Sequence, residues 1–85
     1  MNQSIQFPDR EEWDEVRKAV CFPALSNGMQ LQCAVSATEL YRRFGDGPAL
    51  DLFREYRWDI EEEMESVIAA DHDDQDGWFW LSSDR

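Results

Sequence analysis

The stretch "AVCFPALSNGMQLQCAVS" (residues 19–36) decides the fold. Two apolar arms flank Asn27-Gly28, a pair that tolerates the positive φ of a type I′ turn and so marks a two-residue β-hairpin. The second arm alternates: Met29, Leu31, Cys33 and Val35 share one face, and Gln30, Gln32 and Ser36 the other. A two-residue turn sets Phe22 against Cys33 and Cys21 against Ala34, whereas a three-residue loop would set Cys21 against Cys33. The first register buries Val20 and Phe22, and the second buries Ala19, Cys21 and Pro23 in their place. Burial of Val and Phe is worth more, so the first register is expected. Cys33 then joins the core, Cys21 joins the outer face of the sheet, and no disulfide links them. Pro23 has no backbone donor and belongs at a non-bonded or edge position of the first arm.

Downstream of the hairpin, "SATE" (36–39) is a capping box, with Ala37, Leu40, Tyr41 and Phe44 following at helical spacing and Gly45 as the stop. Pro48 at the first helical position opens a long amphipathic helix that runs to about Ala70. Its apolar stripe is Leu50, Phe53, Tyr56, Ile60, Met64, Val67 and Ile68. After the polar break "DHDDQDG" (71–77), "WFWLSS" (78–83) reads as a closing strand. Upstream, "SIQF" (4–7) is a short edge strand ended by Pro8 and Asp9. The acidic "DREEWDEVRK" (9–18) is read as a loop or single helical turn that lays Trp13 on the core. The element order is therefore β-β-β-α-α-β. It predicts an α+β, two-layer domain, with a mostly antiparallel sheet of about four strands and two helices on one face. Eighty-five residues make a single domain, 1–85, because either half would be too small for its own core.

The net charge of -11 is uneven: residues 46–85 hold thirteen acids against three bases. Such a field repels phosphates and anionic headgroups, so neither nucleic acid nor a membrane is an expected partner. No apolar run approaches the ~20 residues of a membrane-spanning helix. The first residues lack a basic leader followed by an apolar run, and "SSDR" matches no retention or lipidation tag. The expected location is cytoplasmic.

Reactive groups are few. His72 in "DHDDQD" invites a calcium loop, but neither register supplies both the glycine and the closing glutamate. One histidine and two cysteines without a C-x-x-C do not make a zinc set. The acids of "DIEEEMES" wrap around the polar side of a helix and do not face each other across a cleft. No phosphate loop, nucleophile elbow or metalloprotease motif is present. Arg42, Arg43, Arg54 and Arg57 are read as structural pairing partners. The chain is therefore expected to be non-enzymatic, with no cofactor and no metal.

The aromatic residues carry more information. Trp78 and Trp80 point to one side of the closing strand and Phe79 and Leu81 to the other. Helices cover one sheet face only, so one pair faces outward. Cys21, Pro23 and Leu25 oppose Val20 and Phe22 in the same way, and Trp58 lies nearly opposite Ile60 on its helix. Cys21, Pro23, Leu25, Trp58, Trp78 and Trp80 form the candidate interaction surface, for a protein partner or a second copy in a homodimer. A small-molecule pocket between helices and sheet, lined by Tyr41, Phe44 and Tyr56, is the second reading. A third makes the chain an acidic partner of a basic protein.

"FPD" (7–9), "EEWD" (11–14), "VCFPAL" (20–25), "NGMQLQCAVS" (27–36), "RFG" (43–45), "FREYRWDIEEE" (53–63) and "GWFWL" (77–81) together carry a likeness over nearly the whole chain. On these residues it resembles the YrdB-like family of small uncharacterised bacterial proteins, a domain-of-unknown-function family. The resemblance implies a compact intracellular bacterial domain. It implies no activity, cofactor or catalytic residue.

Overall fold

Asn27 (φ 54°) and Gly28 (φ 81°) take the left-handed conformations that a type I′ turn requires. They join the two longest strands, β3 (Ala19–Ser26) and β4 (Met29–Ser36). The register is the expected one, with Phe22 opposite Cys33 and Cys21 opposite Ala34. A two-residue turn closes on a hydrogen-bonded pair, here Ser26 and Met29, so alternation leaves Pro23 and Gln32 as a non-bonded pair. The donor that Pro23 lacks would therefore have faced the other edge of β3. The computed structural model describes residues 5–81. Ser4 of the expected first strand, and Ser82 and Ser83 of the closing one, lie outside them.

The other edge of β3 is paired by two short pieces, β1 (Ile5–Gln6) and β2 (Glu12–Asp14). Gln6 lies opposite Leu25 and Glu12 opposite Cys21, so five residues of the outer segment span three of β3. The segment leaves the ladder beside Pro23, where no donor is offered. This corrects the expected loop or helical turn over 9–18 at residues 12–14, which are strand, while 15–18 form a turn and 9–11 lie in no helix or strand. Trp13 pairs with Val20 in β2, but its side chain is not packed into the core: it is 37% exposed and donates its indole N–H to Glu15 (2.8 Å). An unpaired edge offers backbone partners to whatever chain lies beside it, even a charged one.

Ser36 caps α1 (Ala37–Phe44) by accepting from the Glu39 amide at 3.0 Å, and Gly45 ends it at φ 99°. The expected long helix is two: α2 (Ala49–Glu55), with Pro48 as its N-cap, and α3 (Arg57–Ala69). The apolar stripe is compatible with one continuous helix. The break comes at Tyr56 (φ -110°, ψ 28°), whose ring stacks on Phe44 of α1 at 4.1 Å and 4°. The bend lets α2 pack on α1 and β3 while α3 runs against β5 (Trp78–Leu81). The helices form one crossover, so β5 returns beside β4 in parallel, Cys33 beside Phe79 and Val35 beside Leu81. The described residues form five strands and three helices in an α+β two-layer domain, with three antiparallel strand pairings and one parallel. The helices cover the face carrying Val20, Phe22, Cys33, Val35, Phe79 and Leu81, and meet it with Leu40, Phe53, Ile60 and Met64.

One carboxylate ties the edge segment to the helix layer. The Glu11 side chain is 8% exposed and accepts hydrogen bonds from Arg54 (2.9 Å) and Arg57. Arg57 also reaches Asp9 (3.4 Å) and Glu61 (3.2 Å) and lies over the Phe53 ring. Burial would raise the pKa of Glu11, but the two arginine hydrogen bonds outweigh it and lower the value from 4.5 to about 2. A depressed pKa stabilises the fold fully above the ordinary value, and that contribution is lost as pH falls through the folded one. Glu11→Gln should therefore lower stability at pH 7 by about 1–2 kcal/mol, discounted because Arg54 is partly in solvent. Urea unfolding at pH 7 and pH 3 checks it: the variant's deficit should shrink at the lower pH.

Candidate functional site

The sheet face away from the helices is built in rows set by the register. Cys21, Ala34 and Trp80 form one row across β3, β4 and β5, and Pro23, Gln32 and Trp78 the next. Leu25 and Gln30 form a third. Five of the six predicted surface residues thus share this face: Cys21, Pro23, Leu25, Trp78 and Trp80, all partly buried. The sixth does not. Trp58 lies on α3, on the far side of the helix layer, and is 84% exposed. Periodicity says which side of an element a residue takes, and only the packing of layers says which sides meet.

The outer face is not bare. Asp14 accepts from the Val16 and Arg17 amides (2.9 Å each) and from the Arg17 guanidinium (3.0 Å), which folds residues 14–18 into a turn. Lys18 closes that turn at φ 54°. Arg17 is thereby carried over the Trp78 ring, 4.1 Å from its centroid. In the 71–77 segment, Asp74 accepts from the amides of Asp76 (2.8 Å) and Trp78 (2.9 Å) and from the Trp80 indole N–H (3.0 Å). Those bonds, the Trp78 amide first, hold the Asp74 carboxyl below its ordinary range. Both tryptophans are therefore fixed by charged residues, Arg17 at Trp78 and Asp74 at Trp80, and the Arg17 charge also favours the ionised Asp74. Ala34, between them and Cys21, is fully buried although no helix covers it.

Between the 14–18 turn and the hairpin lies an open groove of about 610 Å³, lined by Glu12, Arg17, Pro23, Gln30, Gln32 and Trp78 among others. It mixes apolar ring surface, two exposed amides and both signs of charge. Cys21 lines it too, but its thiol is raised to about 11, by burial first and then by the Asp14 charge. Burial raises the Cys33 thiol to about 12. Neither is a nucleophile at neutral pH.

Sequence reasoning missed Arg17 and Asp74. "DHDDQDG" was legible only as a polar break, although Asp74-Gln75-Asp76-Gly77 has the Asx-turn composition that could have marked the anchor. His72 is exposed, and among the described residues no three His, Cys, Asp or Glu are grouped as metal ligands. The arginines pair with acids: Arg43 with Glu39 (2.6 Å) and Glu63 (2.8 Å), Arg42 with Glu39 (3.9 Å), and Arg54 and Arg57 as above. Tyr41, Phe44 and Tyr56 do not line a pocket between helices and sheet. Phe44 and Tyr56 close on each other face to face, and Tyr41 is 43% exposed.

A small α+β domain whose outer sheet face carries no helix layer and is framed by charged residues is the class that this geometry defines. The family model described as "Protein of unknown function (DUF1488)" matches residues 5–81, and the chain belongs to that family. It is 61% identical over 84 residues to "Uncharacterized protein YrdB" of Escherichia coli K12, covering 95% of this chain and 99% of that one. The protein of the same name from Shigella flexneri is 60% identical over the same shares. A crystal structure of a DUF1488 protein of unknown function from Shewanella loihica PV-4 superposes with a TM-score of 0.90. It is 32% identical and covers 95% of this chain and 94% of its own. The expected resemblance is thus the family itself.

Two outcomes follow from the site. In native protein at pH 8, Ellman's reagent should react with Cys21 on the order of 100-fold more slowly than with a free thiol, and Asp14→Asn should speed it. Asp74→Ala should shift the Trp80 indole N–H resonance and raise its hydrogen-exchange rate, while the Trp58 resonance stays in place.

Proposed function

We propose that this is a non-enzymatic cytoplasmic protein that works by protein–protein contact, and that its working surface is the outer sheet face. The observation that carries this reading is the fixing of Trp78 and Trp80 by Arg17 and Asp74 on a face with no helix layer. Rings held in place before binding lose little freedom when a partner arrives, which is what an aromatic anchor needs. The exposed Gln30 and Gln32 beside them offer amide donors and acceptors at the groove edge. The non-catalytic part is supported by the two protonated thiols and by the pairing of the arginines with acids. Two free cysteines suit a reducing compartment, and no helix among the described residues is long and apolar enough to cross a membrane.

Gln30→Lys with Gln32→Lys tests it, since both side chains are exposed and the change should leave the fold intact. Affinity capture from bacterial cytoplasm should retain a partner with the wild type and lose it with the double variant. The purified pair should then shift the Trp78 indole resonance. Identical captured sets from both forms would sink the proposal.

A further inference from the structure

Trp58 is the second residue of the thirteen-residue α3 and is 84% exposed, on the side opposite the sheet. Its backbone belongs to a helix packed on the core, and its ring surface is almost entirely in water. Elsewhere the molecule covers aromatic rings with its own arginines: Arg17 over Trp78 at 4.1 Å and Arg57 over Phe53 at 5.1 Å. The two arginines nearest Trp58 in sequence are drawn away from it. Glu11 holds Arg54 and Arg57, and Asp9 and Glu61 take the rest of Arg57. Among the described residues no cation stacks on the Trp58 indole.

Its surroundings carry negative charge. Glu55 and Glu62 stand three residues before and four after Trp58, the spacings that place side chains beside one another on a helix, and Asp59 adjoins them. None of the three has an ion pair among the described residues, although eight arginine or lysine residues occur in the chain. Asp59 also borders both hollows on this side. One lies along Arg54–Asp59, and the other is an open groove of about 720 Å³ lined by Arg43, Phe44, Asp59, Glu62, Glu63 and Ser66. Arg43 is taken up by Glu39 and Glu63, which leaves Asp59 and Glu62 as the groove's acids without an ion pair among the described residues. The aromatic floor at Phe44 suits the methylene stem of a long basic side chain.

We propose that this face of α3 docks a basic, arginine-containing segment of another protein. Trp58 takes a guanidinium on its ring, and Asp59 and Glu62 pair with neighbouring positive charges. The charge excludes a phosphate-bearing ligand, and it opposes a second copy, since two such faces would set like charges against each other. The surface is separate from the outer sheet face, so it stands whether or not that face binds a partner.

The test uses the whole protein with a synthetic twelve-residue peptide of alternating arginine and glycine, titrated by calorimetry and by NMR. The expected result is a shift of the Trp58 indole N–H and of the Glu55–Ser66 amides. Binding should weaken ~10-fold in Trp58→Ala, be largely retained in Trp58→Phe, and weaken ~3-fold in Glu62→Gln. Gln32→Lys should leave it unchanged, and a citrulline-for-arginine peptide should not bind. Equal affinity of wild type and Trp58→Ala would overturn the proposal, because binding would then be a general response to acidic charge. So would shifts centred on Trp78, or self-association of the free protein that Trp58→Ala abolishes.

Discussion

The positive φ of Asn27 and Gly28 governs more of this molecule than any contact in its core. Side chains alternate with a period of two along a strand, so a turn longer by one residue would exchange the faces of one arm against the other. In the observed register Val20, Phe22, Cys33 and Val35 are all buried on one side. The opposite side keeps Cys21, Pro23 and the two glutamines. Every later event, from the docking of three helices to the parallel return of β5, uses the apolar face that this turn defines.

A second constraint is the edge that Pro23 leaves without a donor. The outer segment pairs with β3 on both sides of that point and spans it with extra residues. Those residues include Asp9 and Glu11, which reach Arg54 and Arg57 at the junction of α2 and α3. A missing hydrogen-bond donor in one strand thus coincides with the place where the sheet edge is joined to the helix layer by ion pairs. The same ion pairs turn the nearest cations away from Trp58. The pairing that holds the edge and the bareness of that ring are one arrangement.

The protein presents two unlike surfaces on opposite sides. On the outer sheet face, aromatic rings are held by charged residues from the chain's own turns, with Arg17 on Trp78 and Asp74 on Trp80. On α3 a ring stands clear beside Glu55, Asp59 and Glu62, which have no ion pair among the described residues. The first is preorganised and mixed in polarity, and the second is exposed and anionic. Membership of the DUF1488 family and the fold shared with the Shewanella loihica protein account for the scaffold that carries both.

Much of the fold was legible because it is local chemistry. The turn at Asn27-Gly28, the Ser36 cap, the Gly45 stop and the separation of Cys21 from Cys33 follow from backbone preference and alternation over a few residues. That Cys21, Pro23, Leu25, Trp78 and Trp80 share one sheet face was legible for the same reason. The strand β2 was not, since it is charged and owes its form to the open edge of β3. Nor was the break at Tyr56, where a stripe fit for one helix bends so that α2 and α3 can meet different partners. Trp58 could be placed on its helix but not relative to Trp78 and Trp80, and Arg17 and Asp74 carried no signal that named their rings. The sequence by itself determined the hairpin register, the Ser36 cap and Gly45 stop, and the alternation of sides along β3, β4 and β5, because these depend on neighbours within a turn or two. Only the tertiary structure decided which sides face each other and which charges meet, because those depend on how distant segments pack.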